Sequence, residues 1–376
     1  MERITNRLNM IRGGMKPTMK KLFILICIAL IASLFTGTLV SCGEPEKTTT
    51  PTTQPTTTQP TTTAPPEPVV LSFASAAMGN YQDLELAFAE AFNARCGPAY
   101  TIEYFPAESK LAFPELLDGV RTGAADMAAV TPNFNSFDEP KLGAVEIPFL
   151  FNNLEAHRYA VPQLYPLYAE ILENQFNQKL LCLHNYTGMA LISNRSVKTL
   201  ADWDGLLVQA ISPVIASTIE ALGGSAVTGV PYTDSYSMLE KGTVDAVITA
   251  PAAMRVFGLP DVADYMTAAY MTPAVHGFSI NLDTWNSLPA DVQAILLEEA
   301  QKYSDMIDQW VADEWITDHQ AIADAGVDIY YPPQSEINLW KAACQSVIDD
   351  LLAQYGAFGD QIMAIADEAN ALYPND

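Results

Sequence analysis

Basic side chains are scarce in this chain: 19 Lys and Arg stand against 44 Asp and Glu in 376 residues, a formal net charge of −25. The scarcity deepens beyond residue 41, because residues 1–41 hold six basic residues and one acidic one, a net of +5, leaving −30 for the rest. A surface of that sign repels phosphate backbones and anionic headgroups, which excludes nucleic acid as a partner. Histidine is also rare. His157, His184, His276 and His319 are scattered, with no two at i, i+4 on a common helix. His157 and His319 read as solvated helix residues, whereas His184 and His276 lie close to predicted strands. HExxH, GxSxG, the P-loop and GxGxxG are all missing after residue 41, so no metal, cofactor or catalytic site is expected. The five cysteines have no zinc or redox spacing. Cys96, Cys182 and Cys344 allow at most one internal disulfide and read as buried apolar fillers.

What is present begins with an export signal. Lys20-Lys21 precede the apolar run "LFILICIALIASLF" and the ending "LVSC" at residues 39–42. A basic start, a short apolar run and a small residue before the cut describe a signal peptide. The run is too short for a membrane span. The ending resembles a bacterial lipobox, in which Cys42 is lipidated, so residues 1–41 are read as a lipoprotein signal. Residues 42–68 are the lipidated Cys and a Thr/Pro tether, too polar to bury anything. About 21 residues of polyproline II at about 3.1 Å each reach about 65 Å from a membrane. The expected location is extracytoplasmic, anchored to the outer face of the cell membrane.

The folded part alternates strands and helices twice. Residues 69–131 read β-α-β-α-β, and residues 206–249 repeat that order, with Ser212-Pro213 opening a helix that Gly223-Gly224 closes. Residues 69–190 are mainly a first α/β domain, 191–285 mainly a second, and 286–376 C-terminal helices that pack on both, the first of them read as one long helix or two. Two such units imply a cleft between them.

Five segments now suggest a family. "LLDGVRTGAADMAAVTP", "VEIPFLFNNLEAHR", "SNRSVKTLADWDGLLVQA", "MLEKGTVDAV" and "INLDTWNSLPADVQAILLEEA" occur in that order. Together they resemble the substrate-binding proteins of tripartite ATP-independent periplasmic (TRAP) transporters, the DctP family. The resemblance implies a two-domain α/β fold of the periplasmic-binding-protein (Venus flytrap) type, with a long helix near the C-terminus spanning both domains. It also implies a small-molecule ligand enclosed by hinge closure, no enzymatic activity, and TRAP permease membrane subunits as partners. The lipid anchor and tether depart from freely soluble members.

The resemblance places Gln209 where the family usually carries a carboxylate-binding Arg. Gln209 stands alone as an amide in the apolar run "LLVQAI", near a strand's C-terminal end, where open α/β sheets hold ligands. A second Arg position of some organic-acid binders falls at Met189 or Ala190, and a further polar position near Thr249. An amide and a thioether no longer match a carboxylate. Two readings stay open: the ligand is uncharged and meets Gln209, or another cation has moved in, with Arg255, Arg121 or a protonated His276 as candidates. Gln209 also admits a purely structural reading, bonding the backbone of a neighbouring loop. The remaining ligand-binding candidates sit at strand or helix ends: Ser75, Thr131, Asn133, Tyr186, Ser212 and Tyr236. The leading expectation is a solute-binding lipoprotein of a TRAP transporter. A ligand-sensing lipoprotein for a membrane receptor is the alternative, and an exported enzyme is disfavoured because no nucleophile-base pair is visible.

Overall fold

The computed structural model describes residues 67–375. The export signal, Cys42 and most of the tether therefore lie outside the described residues. Among the described residues no helix is long and apolar enough to cross a membrane.

The chain opens with β1 (Val69–Ala74), α1 (Asn80–Cys96), β2 (Tyr100–Phe105), α2 (Leu116–Thr122), β3 (Met127–Val130), α3 (Leu154–Phe176) and β4 (Gln178–Gly188). It continues through β5 (Ala190–Ser193), β6 (Leu207–Gln209), α4 (Pro213–Leu222), β7 (Ser225–Val227), α5 (Ser235–Glu240), β8 (Ala246–Thr249) and α6 (Pro251–Val256). Then come β9 (Tyr265–Thr267), β10 (Pro273–Asn281), α7 (Leu282–Ser287), α8 (Ala290–Asp324), β11 (Asp328–Tyr330), α9 (Gln334–Ala343), α10 (Gln345–Tyr355) and α11 (Ala357–Leu372). Local chemistry sets several boundaries. Ser212 caps α4 by accepting from Ile215 N at 3.2 Å, Pro213 fills the first turn, and Gly223 ends the helix at φ 101°.

Two sheets result. The first has the order β2-β1-β3-β10-β4, with β1 parallel to β2 and β3, and β10 antiparallel to β3 and β4. The second has the order β11-β9-β5-β8-β6-β7 and is likewise mixed. β4 and β10 are buried along nearly their whole length, and neither sequence shows the strict apolar-polar alternation of a half-solvated strand. Gly277 is needed where they meet, since a Cβ there would collide with the Cys182 carbonyl.

The two sheets do not keep strictly to the stretches 69–190, 191–285 and 286–376. β10 lies in the middle stretch yet completes the first sheet, and β11 lies in the last stretch yet edges the second. Neither strand's partners are its sequence neighbours, so no local pattern discloses the exchange.

The long C-terminal segment is one unbroken helix, α8, whose 35 residues span about 53 Å. Towards the first sheet, Ser304 Oγ donates to the Leu183 carbonyl at 3.0 Å, and Asp308 accepts from Arg158 and Asn185. Towards the second, Asp318 accepts from Arg255 of α6. His157 and His319 are buried rather than solvated: His157 stacks on Phe151 and its Nδ1 lies 2.9 Å from the Tyr270 hydroxyl. Burial favours their neutral form and lowers both pKa values, that of His157 to about 3. Cys96, Cys182 and Cys344 are free thiols.

Candidate functional site

A cavity of about 450 Å³ opens between the two sheets, a size that suits a small organic molecule. Chain ends at the tops of strands build it. Ser75 follows β1, Thr131 follows β3, Tyr186 and Met189 come from the end of β4, and Thr249 ends β8. β10 adds His276, α6 adds Arg255, and α8 lays Trp310, Glu314 and Asp318 along one side.

One wall is a hydrogen-bonded group of rings. His184 Nδ1 lies 3.0 Å from the Asn185 carbonyl and must carry a proton to donate to it. Its Nε2 is then bare and accepts from the Tyr81 hydroxyl at 3.2 Å. The Tyr81 oxygen in turn faces His276 Nδ1 at 3.4 Å, an N–H to oxygen contact in the complementary tautomer. Tyr186 stacks on His276 with ring centroids 4.0 Å apart and planes 7° apart, and Trp310 meets Tyr81 edge-on at 5.6 Å. Both histidines are held neutral. Burial lowers the pKa of His184 to about 4, and burial plus the neighbouring His184 puts His276 well below its usual value. His276 is therefore not a protonated cation. Next to this wall, Thr187 holds a φ of 133°, a conformation that L side chains rarely adopt, where the β4–β10 register shifts.

The charged lining is lopsided. Among the described residues, Arg255 is the one basic side chain in the lining other than neutral His276, against Glu85, Glu314 and Asp318. Asp318 pairs closely with Arg255, and Glu314 lies 3.4 Å from the same guanidinium. Arg121 is elsewhere, in an exposed pair with Asp118 on α2. Glu85 is fully buried. The Tyr104 hydroxyl donates to its Oε2 at 2.7 Å, while Oε1 has no protein partner. Burial pushes its pKa up to about 7, and the Ser75 and Tyr104 hydroxyls offset only part of that rise.

Seven of the candidates read from the sequence come together in this lining: Ser75, Thr131, Tyr186, Met189, Thr249, Arg255 and His276. Four do not. Gln209 is fully buried behind it, donating from Nε2 to the Pro231 carbonyl at 3.1 Å and accepting at Oε1 from Ser235 Oγ at 2.6 Å. Both ends of the amide are engaged by protein. Tyr236 packs into the apolar cluster behind the second sheet. Asn133 and Ser212 hold a carboxylate that sequence reasoning missed. Glu146 is fully buried and accepts from Asn133 Nδ2 at 2.7 Å and from Ser212 Oγ at 2.5 Å, bridging the β3 end to the α4 cap. Burial raises its pKa to about 7, with both donors pulling the other way.

The sequence reading also missed Tyr81, Glu85, Phe113, Phe134, Tyr232 and, as a lining residue, Trp310. For Glu85 a signal existed. It shares the i, i+3, i+4, i+7 stripe of Phe88, Ala89 and Phe92, the face α1 buries. A lone acid on such a stripe marks a buried charge that needs a purpose.

Residues 72–354 match the DctP model, described as bacterial extracellular solute-binding protein, family 7. A solute-binding protein of Sulfitobacter sp. (strain NAS-14.1) is 28% identical over 186 residues, 48% of this chain and 54% of that protein, so the match spans about half of that relative. The C4-dicarboxylate-binding periplasmic protein DctP of Rhodobacter capsulatus is 23% identical over 299 residues, 77% of this chain and 89% of that one. A TRAP periplasmic solute-binding protein from Ochrobactrum anthropi superposes with a TM-score of 0.75 at 24% identity, covering 82% of this chain and 99% of the other, a likeness of fold.

Proposed function

The chain belongs to the DctP family of bacterial extracellular solute-binding proteins, and from that premise we propose that it captures a small organic molecule in the cavity between its lobes and hands it to a TRAP-type permease. The family consists of solute receptors, not enzymes. The observation that carries the proposal is the cavity itself, walled by the ends of strands from both sheets and by α8. An element shared by both lobes lets the cleft close by hinge rotation around the ligand. A lipid on Cys42 and the Thr/Pro segment would keep the receptor at the outer face of the cell membrane, close to its permease.

The ligand is not a simple carboxylate. Arg255 is the group that would receive one, and it is already paired with Asp318 and Glu314. Drawing it away would leave Asp318, 5% exposed, without its partner. The named specificity of the Rhodobacter relative, a C4-dicarboxylate, is therefore not carried over to this chain. A thermal-shift screen of the purified protein against organic acids, sugars, polyols, amides, aromatics and amines tests the reading. Stabilisation by a non-acidic compound is expected. Stabilisation by a simple carboxylate, whether or not it survives Arg255→Ala, would sink the ligand class, and no stabilisation by any class would sink the receptor role of the cavity.

A further inference from the structure

Resting on the reading of this cavity as the ligand site, we propose that its ligand is a small organic cation, with an ammonium or amidinium group seated against Glu85 and a body held among aromatic rings. Glu85 Oε1 is the starting point. It is buried, it belongs to a side chain that lines the cavity, and it makes no hydrogen bond within the protein, although the Ser75 hydroxyl lies close enough to lower the carboxyl's pKa. A buried carboxylate oxygen without a donor is costly, and a bound N–H⁺ supplies both the donor and the countercharge. A hydroxyl would supply only the first, and a carboxylate neither.

The surroundings favour the same sign. Three of the four charged side chains lining the cavity are acids, and the fourth is paired with two of them. An arriving anion meets net negative charge, whereas a cation meets its complement. Tyr81 lies one turn before Glu85 on α1, and with Trp310 and Tyr186 it presents ring faces and edges around this end of the cavity. Farther along, Phe113 packs edge-on against Phe134 at 4.8 Å and against Tyr232 at 5.4 Å. Aromatic faces attract cations and supply apolar contact for an organic body. The chain's charge of −25 adds long-range attraction for the same class.

The test uses two trios of matched shape with the purified chain at pH 7.5: 2-phenylethylamine, 2-phenylethanol and phenylacetate; pentylamine, pentanol and pentanoate. In at least one trio the amine is expected to raise the melting temperature and to bind at least tenfold more tightly than the alcohol and acid by calorimetry. An alcohol or acid that equals the amine overturns the cation assignment while leaving the receptor reading standing. Failure of both amines overturns it as well, and the broad ligand screen then judges the receptor reading separately. Glu85→Gln, checked for folding by near-ultraviolet circular dichroism, should weaken the amine at least tenfold and leave the alcohol unchanged. Unaltered amine affinity places the cation elsewhere and sinks the proposal. A second readout needs no variant. Amine affinity should rise between pH 5.5 and 7.5 as Glu85 ionises, and alcohol affinity should not. The groups facing Glu85 do not titrate in that window: burial raises Tyr81 on its own helix, Tyr104 on β2, Cys182 on β4 and Tyr303 on α8. The neighbouring His184 and His276 are already neutral there. A flat amine profile overturns the assignment.

Discussion

The Ser235 hydroxyl lies 2.6 Å from Gln209 Oε1, within the fold and away from the cavity, and it shares its proton with the Tyr232 carbonyl at 2.5 Å. With the Pro231 carbonyl accepting from Nε2, the Gln209 amide ties β6 to the turn that precedes α5. Gln209→Ala removes these bonds and orphans buried polar groups. Unfolding by urea should show a loss of about 1–3 kcal/mol without ligand. Affinity for any ligand that binds the intact cavity should change little. Unchanged stability with lost binding would return Gln209 to the site.

The Arg255 pairing predicts a gain of function. Asp318→Asn combined with Glu314→Gln leaves the guanidinium facing the cavity without its carboxylates. The double variant should bind phenylacetate at least tenfold more tightly than the parent by calorimetry. If its affinity for phenylacetate stays at the parental level, Arg255 is not what decides against acids.

Glu146 predicts a pH signature. Its folded pKa of about 7 lies above the ordinary glutamate value of 4.5, so the unfolded chain sheds the proton first. The stability it contributes is present below about pH 4.5, drains as pH rises towards 7, and is flat beyond. Tyr168 and Tyr355 nearby are raised by burial and stay neutral throughout. Glu146→Gln removes this slope, and rotation of Asn133 would turn its unpartnered Oδ1 towards the new amide. Measured against the parent, the variant should gain roughly 3 kcal/mol between pH 4.5 and 7.5. Parallel stability curves would show that Glu146 titrates normally.

Anchoring has its own assay. Cells expressing the full chain should incorporate labelled palmitate into it, and Cys42→Ala should abolish the label and release the protein from the membrane fraction. Label retained on the variant would remove the lipoprotein reading.

Legibility followed distance along the chain. α4 could be placed from Ser212, Pro213 and Gly223 because caps act over a few residues. The strand-end rule found Ser75, Thr131 and Tyr186 because strand tops gather on one edge whatever the sequence does next, while Thr249 came from the family resemblance. The same rule pointed to Gln209 and could not tell which way its side chain faces. That depends on Pro231 and Ser235, more than twenty residues later. The apolar surroundings of Glu146 in "VEIPFLF" gave no hint of its donors, which lie on either side of it at Asn133 and Ser212.

The exchange of strands between the two sheets bears on how the protein comes into being. Among the described residues β4 pairs with β10 alone, and the chain makes β5, β6, β7, β8 and β9 before β10 exists. Until residue 281 is synthesised, the first sheet stops at β3 and β4 waits unpaired. The second sheet waits in turn for β11, which follows the whole of α8. The first sheet has all its strands only at residue 281 and the second only at residue 330, so a chain halted before residue 281 holds two incomplete sheets instead of one complete lobe. A polypeptide that settles this late in its own synthesis stays open longest, as passage across a membrane before folding requires.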